Sequence, residues 1–118
     1  MISKEENILF AAEKLFAEKG FSGTSTREIS KAANVNISMI SYYFGSKEKL
    51  YEKLVEYRMR EGRYFSDEML SRTDLNEWEK IERIVEQFVK RVQKNRLFFR
   101  IMQREQLYSD NPAIVEFL

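Results

Sequence analysis

The chain contains no cysteine and no histidine. Their joint absence excludes disulfides, zinc fingers, cysteine nucleophiles, histidine bases and histidine-ligated metals. One proline and four glycines are too little punctuation for a many-turned β fold and favour helices. No apolar run approaches the roughly 18 residues of a membrane span. Met1 to Phe16 mixes Glu and Lys with its apolar residues and forms no secretory h-region. The expectation is a cytoplasmic protein with no membrane partner. Charge of one sign is also lacking, since 20 Lys+Arg face 19 Asp+Glu for a net of +1. Bulk charge therefore says nothing for or against nucleic acid. No paired-carboxylate, phosphate-loop or nucleophile motif is visible. The expectation is a non-enzyme with no catalytic residues, no cofactor and no metal. What is present is 118 residues, 43% hydrophobic and 14% aromatic, enough to pack one domain or a small domain with an appendage.

Capping signals divide the chain. Ser3 and Glu6 make a capping box, and Ile8, Ala12, Leu15 and Phe16 then recur at helical spacing. Gly20 suits the left-handed position that ends such a helix. Ser25 and Glu28 make a second capping box, opening a short helix with Ile29, Ala32 and Ala33 inward. Asn34 tolerates a positive φ and predicts a tight turn. Asn36 caps a third helix, Ile37 to Tyr43. Phe44-Gly45-Ser46 breaks it, and Ser46 caps a long fourth helix carrying Leu50, Leu54 and Tyr57, whose far end is blurred by Gly62. Asp74 with Glu77 predicts the next start. Beyond it Trp78, Ile81, Ile84, Val85, Phe88, Val89 and Val92 draw one apolar stripe. Asn95-Arg96 reads as a break before the cluster Leu97, Phe98, Phe99, Ile101 and Met102. Asn111-Pro112 reads as N-cap and first residue of one more helix. Ala113 to Leu118 has no C-cap and no polar tail, which predicts that the chain is the front part of a longer one.

Two short helices joined by a three-residue turn have helix-turn-helix geometry, whose second helix can enter a major groove. Ile29, Val35, Ile40 and Phe44 would pin them together, with Leu15 and Phe16 beneath. Small helical bundles share this pattern, so a helical protein-interaction module stands as the alternative to a DNA-binding domain. The wording of the motif favours the DNA-binding domain, and salt-dependent binding to duplex DNA would separate the two. Gly20-Phe21-Ser22-Gly23-Thr24-Ser25, Arg27-Glu28-Ile29-Ser30, Ala32-Ala33-Asn34-Val35 and Tyr43-Phe44-Gly45-Ser46-Lys47-Glu48-Lys49-Leu50 resemble the tetracycline-repressor (TetR) family over residues 5–55. The resemblance implies an all-α fold. Residues 1–50 would be a three-helix DNA-binding domain, with the helix-turn-helix at about 25–44. Residues 51–118 would be a helical linker and the truncated start of a ligand-binding and dimerisation domain. It implies a prokaryotic transcriptional repressor, a homodimer on a palindromic double-stranded DNA operator, released by a small-molecule effector.

Carried over position by position, Thr26 and Arg27 would contact DNA from the second helix. Asn36, Ile37, Ser38, Ser41 and Tyr42 would face the groove, and Tyr43 and Lys47 match the family's phosphate contacts. The chemistry suits these roles: Lys47 lies in the first turn of a helix, where free N–H groups favour an anion, and a tyrosine hydroxyl bonds phosphate oxygens. Two positions depart from the family, Asn34 where glycine is usual and Ser41 where tyrosine is frequent. No Lys or Arg lies between Ile37 and Tyr43, and residues 1–50 hold seven Lys/Arg against six Asp/Glu. Attraction to DNA would therefore be local, at Arg27 and Lys47, and the recognition helix would read thymine methyls and shape more than guanine edges. In the second half, Tyr57, Tyr64, Phe65, Trp78, Phe88, Phe98, Phe99 and Met102 are candidates to line an apolar effector pocket. The alternative is plain helix-packing core.

Overall fold

The structure, a computed structural model, describes residues 2–116. In chain order the helices are α1 (Lys4–Lys19), α2 (Thr26–Ala33), α3 (Ile37–Tyr43), α4 (Lys47–Ser71), α5 (Glu77–Lys94), α6 (Arg96–Tyr108) and α7 (Pro112–Val115). Local chemistry sets most of their ends. Ser3 and Ser25 make complete capping boxes with Glu6 and Glu28. Asn36, Ser46 and Asn111 cap α3, α4 and α7 through their side-chain oxygens. Asn34 adopts the left-handed conformation, φ 56° and ψ 48°, which asparagine tolerates better than most residues.

Three local expectations change. α5 begins on Asn76, which makes the capping box with Glu79. Asp74 is not its cap, because its carboxylate accepts from the Arg72 guanidinium at 2.9 Å. Gly20 has the positive φ expected of a helix end, 81°, but its ψ of 167° sends the chain off extended instead of left-handed. Gly62 ends nothing: α4 runs through it to Ser71, and the glycine is buried against α5.

One core joins the two halves of the chain. Ile8, Ala12 and Phe16 of α1, Ile29 of α2, Ile40 of α3 and Leu50, Tyr51 and Leu54 of α4 pack in one cluster with Phe98, Ile101 and Met102 of α6 and Ile114 of α7. Phe16, Phe21 and Tyr51 meet in tilted and edge-on pairs with centroids 5.5–6.0 Å apart. Burial, with the Glu105 charge adding, pushes the Tyr51 hydroxyl up to about 12, so it stays a neutral donor, and it lies 3.8 Å from the Met102 sulfur. The helix-turn-helix therefore does not stand on the first fifty residues alone. α6 closes its underside.

α5 is inverted relative to its pattern. Of its seven stripe residues, Trp78, Ile81, Val85, Phe88 and Val89 are exposed, Trp78 at 81%, and Ile84 and Val92 are half-buried, while the buried residues of the helix are Lys80 and Arg91. The helix rests on α4 and α6, and α6 meets the edge of its apolar face where Phe99 touches Phe88.

Candidate nucleic-acid interface

The face of α3 is built by what pins the helix from behind. Ile40 and Phe44 are buried beside Ile29 and Ala33 of α2. In a seven-residue helix this leaves Ile37, Ser38, Ser41 and Tyr42 pointing outward. All four are exposed, as is Asn36 ahead of them. Tyr42 is 80% exposed and Ile37 42%, so both side chains are available to an outside partner. Met39 and Tyr43 are half-buried, packed at the edge of the core, and the Tyr42 and Tyr43 rings meet edge-on at 5.1 Å. Asn36 accepts from the Ser38 N–H at 2.9 Å, which leaves its amide N–H groups free.

α2 flanks this face. Arg27 is exposed and Thr26 half-buried, and the Arg27 guanidinium makes no hydrogen bond or ion pair among the described residues. The neighbouring Glu28 is occupied: Lys19 pairs with it and Ser25 donates to it. The Lys19 ammonium first, and the Ser25 N–H and hydroxyl after it, hold the Glu28 carboxyl far below the usual carboxylate range, at about 2. One carboxylate beside the interface is thus already matched by a cation.

Lys47 does more than its place at a helix start suggested. Its ammonium donates to the Phe21 carbonyl at 2.8 Å and the Thr24 carbonyl at 3.0 Å, and it lies 4.2 Å from the centroid of the Phe21 ring. One N–H remains for an outside acceptor. The loop it holds is fixed from other sides too. The Phe21 N–H donates to buried Glu105 of α6 at 2.9 Å, and the Thr24 hydroxyl donates to the Gly20 carbonyl at 2.8 Å. Asn7 of α1 donates to the Ala33 carbonyl at 2.8 Å, tying down the end of α2. Sequence reading missed Glu105, Asn7 and the buried Glu13, which accepts both guanidinium bonds of Arg58 at 2.6–2.8 Å. Capping patterns span three residues, and no such signal exists for partners 26, 45 or 84 positions apart.

The eight pocket candidates are not brought together. Tyr57 donates to Glu6 of α1 at 2.9 Å, which removes it from any pocket in the second half. Phe98 and Met102 are core. Tyr64 and Trp78 are exposed at 66% and 81%. Phe88, Phe99 and Phe98 alone form a chain of edge-on aromatic contacts, at 6.0 and 5.2 Å. Phe65 borders a shallow cleft with Met69 and four charged side chains. The reason is the inversion of α5, whose apolar face turns away from α4.

α3, held from behind and bare in front, follows α2 across a tight turn and makes a helix-turn-helix. Residues 8–54 match the family described as "Bacterial regulatory proteins, tetR family". The "Probable HTH-type transcriptional regulator YttP" of Bacillus subtilis is 54% identical over 54 residues, 46% of this chain and 26% of that protein. The "Biofilm operon icaADBC HTH-type negative transcriptional regulator IcaR" of Staphylococcus epidermidis is 36% identical over 72 residues, 61% of this chain and 37% of its own. Among solved structures, a transcriptional regulator (TerR/AcrR family) from Aquifex aeolicus aligns with a TM-score of 0.78 at 25% identity, over 98% of this chain and 64% of that one. Over residues 8–54 the chain is similar to the TetR family of regulators. It matches only about a quarter of the length of the first curated relatives, 26% and 24%. No helix among the described residues is long and apolar enough to cross a membrane.

Proposed function

We propose that this chain is the operator-reading part of a transcriptional repressor, and that α3 enters the major groove with its N-terminus leading. The observation that carries this is the exposed row Asn36, Ile37, Ser38, Ser41 and Tyr42 on a helix whose opposite side is locked into the core. Ile37 and Tyr42 lie side by side with the polar groups of Asn36, Ser38 and Ser41 on this face, the mixture that reads base edges and methyl groups. Arg27 and Thr26 reach the flanking backbone or an outer base, and Tyr43 and the free N–H of Lys47 take phosphates. Two copies bind an inverted repeat, with recognition helices one DNA turn apart, roughly 34–36 Å or a multiple of it. A small molecule in the helical second half releases the complex. The protein works in the cytoplasm, at the chromosome when bound.

Selection of duplexes from a random library by the full-length protein tests the reading. A palindromic site with an A·T-rich centre in each half, bound with strong salt dependence, is the expected result. Binding without sequence preference, or full affinity for a single half-site by a monomer, defeats it.

A further inference from the structure

Arg91 sits where a charge is costly. It is 8% exposed, and its Nε and Nη1 are buried with no hydrogen-bond partner among the described residues. A guanidinium carries five N–H donors and no acceptor, so it needs partners wherever it is buried. The buried carboxylate Glu13 is already committed to Arg58, and no described carboxylate lies within ion-pair distance of Arg91. The guanidinium carbon lies 5.7 Å from the centroid of the Phe88 ring. Lys80, buried to the same 8% on this helix, shows the ordinary solution: its ammonium donates to the Leu70 carbonyl and pairs with Glu77, both at 3.3 Å.

The seat of Arg91 is shaped for a guanidinium. A Cβ at position 62 would fall 2.1–2.3 Å from Cζ, Nη1 and Nη2, so the guanidinium lies directly against Gly62 and would have to shift for a larger residue. Gly62 lies inside the 25-residue α4, where glycine weakens a helix. A residue kept for packing alone would be apolar and would need no such notch. Phe88, beside the guanidinium, also belongs to the exposed apolar stripe with Val85 and Val89. The buried cation therefore lies next to open apolar surface.

We propose that Arg91 anchors the carboxylate of an amphipathic small molecule whose apolar body lies along Phe88 and the stripe of α5. This rests on the effector reading above and names the effector's chemical class. A planar carboxylate of single charge matches one planar guanidinium and leaves the buried pair neutral. A doubly charged phosphate would leave net negative charge in the same low-dielectric site.

The test uses the full-length protein with N-phenyl-1-naphthylamine, a neutral fluorescent dye, as reporter. The competitors are straight-chain carboxylates from hexanoate to dodecanoate and the alcohols of equal length. Carboxylates should displace the dye from the wild type at concentrations about tenfold or more below the alcohols, the scale of one hydrogen-bonded charge. Arg91→Met should make the two series alike. Gly62→Ala should weaken the carboxylates and spare the alcohols. Without ligand, Arg91→Met should melt about 2–4 °C or more above wild type, because it removes an unpaired buried charge. The proposal is overturned if the wild type shows no carboxylate preference or binds neither series, or if the preference survives Arg91→Met. It is also overturned if Arg91→Met melts below wild type, since a carboxylate of the protein would then already hold Arg91. Operator release is followed in parallel. Carboxylate binding through Arg91 without release defeats only the effector part of the function. Release that survives Arg91→Met defeats only the anchor.

Discussion

Replacing Lys47 by methionine keeps most of the stem's packing and deletes the ammonium. The wild-type group donates to two backbone carbonyls, of Phe21 and Thr24, and stands over the Phe21 ring. A hydrogen bond from a charged donor contributes about 1.5–3 kcal/mol when buried. Lys47 is only half-buried, so water reaches the freed carbonyls and about 1 kcal/mol for each bond is the better figure. The ring contact adds about 0.5–1 kcal/mol. The sum, about 2–3 kcal/mol, corresponds to a fall in melting temperature of about 10 °C for a chain of this size. Circular dichroism on heating measures it. Salt titration of operator binding measures the second role separately: loss of one phosphate contact reduces the slope of log K against log salt by about 0.9, without changing the selected sequence. A Lys47→Met protein that melts within about 2 °C of wild type would refute the anchoring argument, whatever happens to DNA binding. A changed sequence preference would refute the phosphate role.

Glu13→Gln leaves the Arg58 guanidinium without its buried carboxylate. It should cost about 2–3 kcal/mol in urea unfolding, and adding Arg58→Met should recover more than half of the loss. Glu28 is held at about 2 against an ordinary carboxyl value of about 4.5. The native state therefore binds fewer protons than the unfolded state between those values, and stability is lost as pH falls from about 4.5 toward 2. Glu28→Gln should flatten the melting temperature across that window, and a wild-type curve already flat there would contradict the pairing with Lys19. Ile37 stands exposed at the leading end of α3. Replacing thymine by uracil at one central operator position should weaken the wild type, and Ile37→Ala should abolish the difference. Indifference of the wild type at every position would remove Ile37 from base reading.

What the sequence determined by itself is the division of the chain and the two ends of the reading unit. Ser3, Ser25, Asn36, Ser46 and Asn111 cap within one turn of themselves, and Asn34 bends its own backbone. Each outcome is decided by atoms two or three residues apart, so it is legible without a fold. The outward face of α3 was legible for a related reason: in seven residues, one buried position, Ile40, assigns all the others. Even locally, the pattern pointed to Asp74 as the cap of α5, whereas Arg72 holds its carboxylate and Asn76 caps the helix. Periodicity drew the stripe on α5 but carried no information on which way it turns. Only the docking on α4 decided that Lys80 and Arg91 go inward and Trp78 stays outside. The same holds for Lys47, whose partners lie 26 and 23 residues back, and for Glu105, which reaches Phe21 across 84 residues. Such contacts form only where packing of the whole chain brings distant backbone within about 3 Å, the span of a hydrogen bond, and no pattern along the chain encodes that distance.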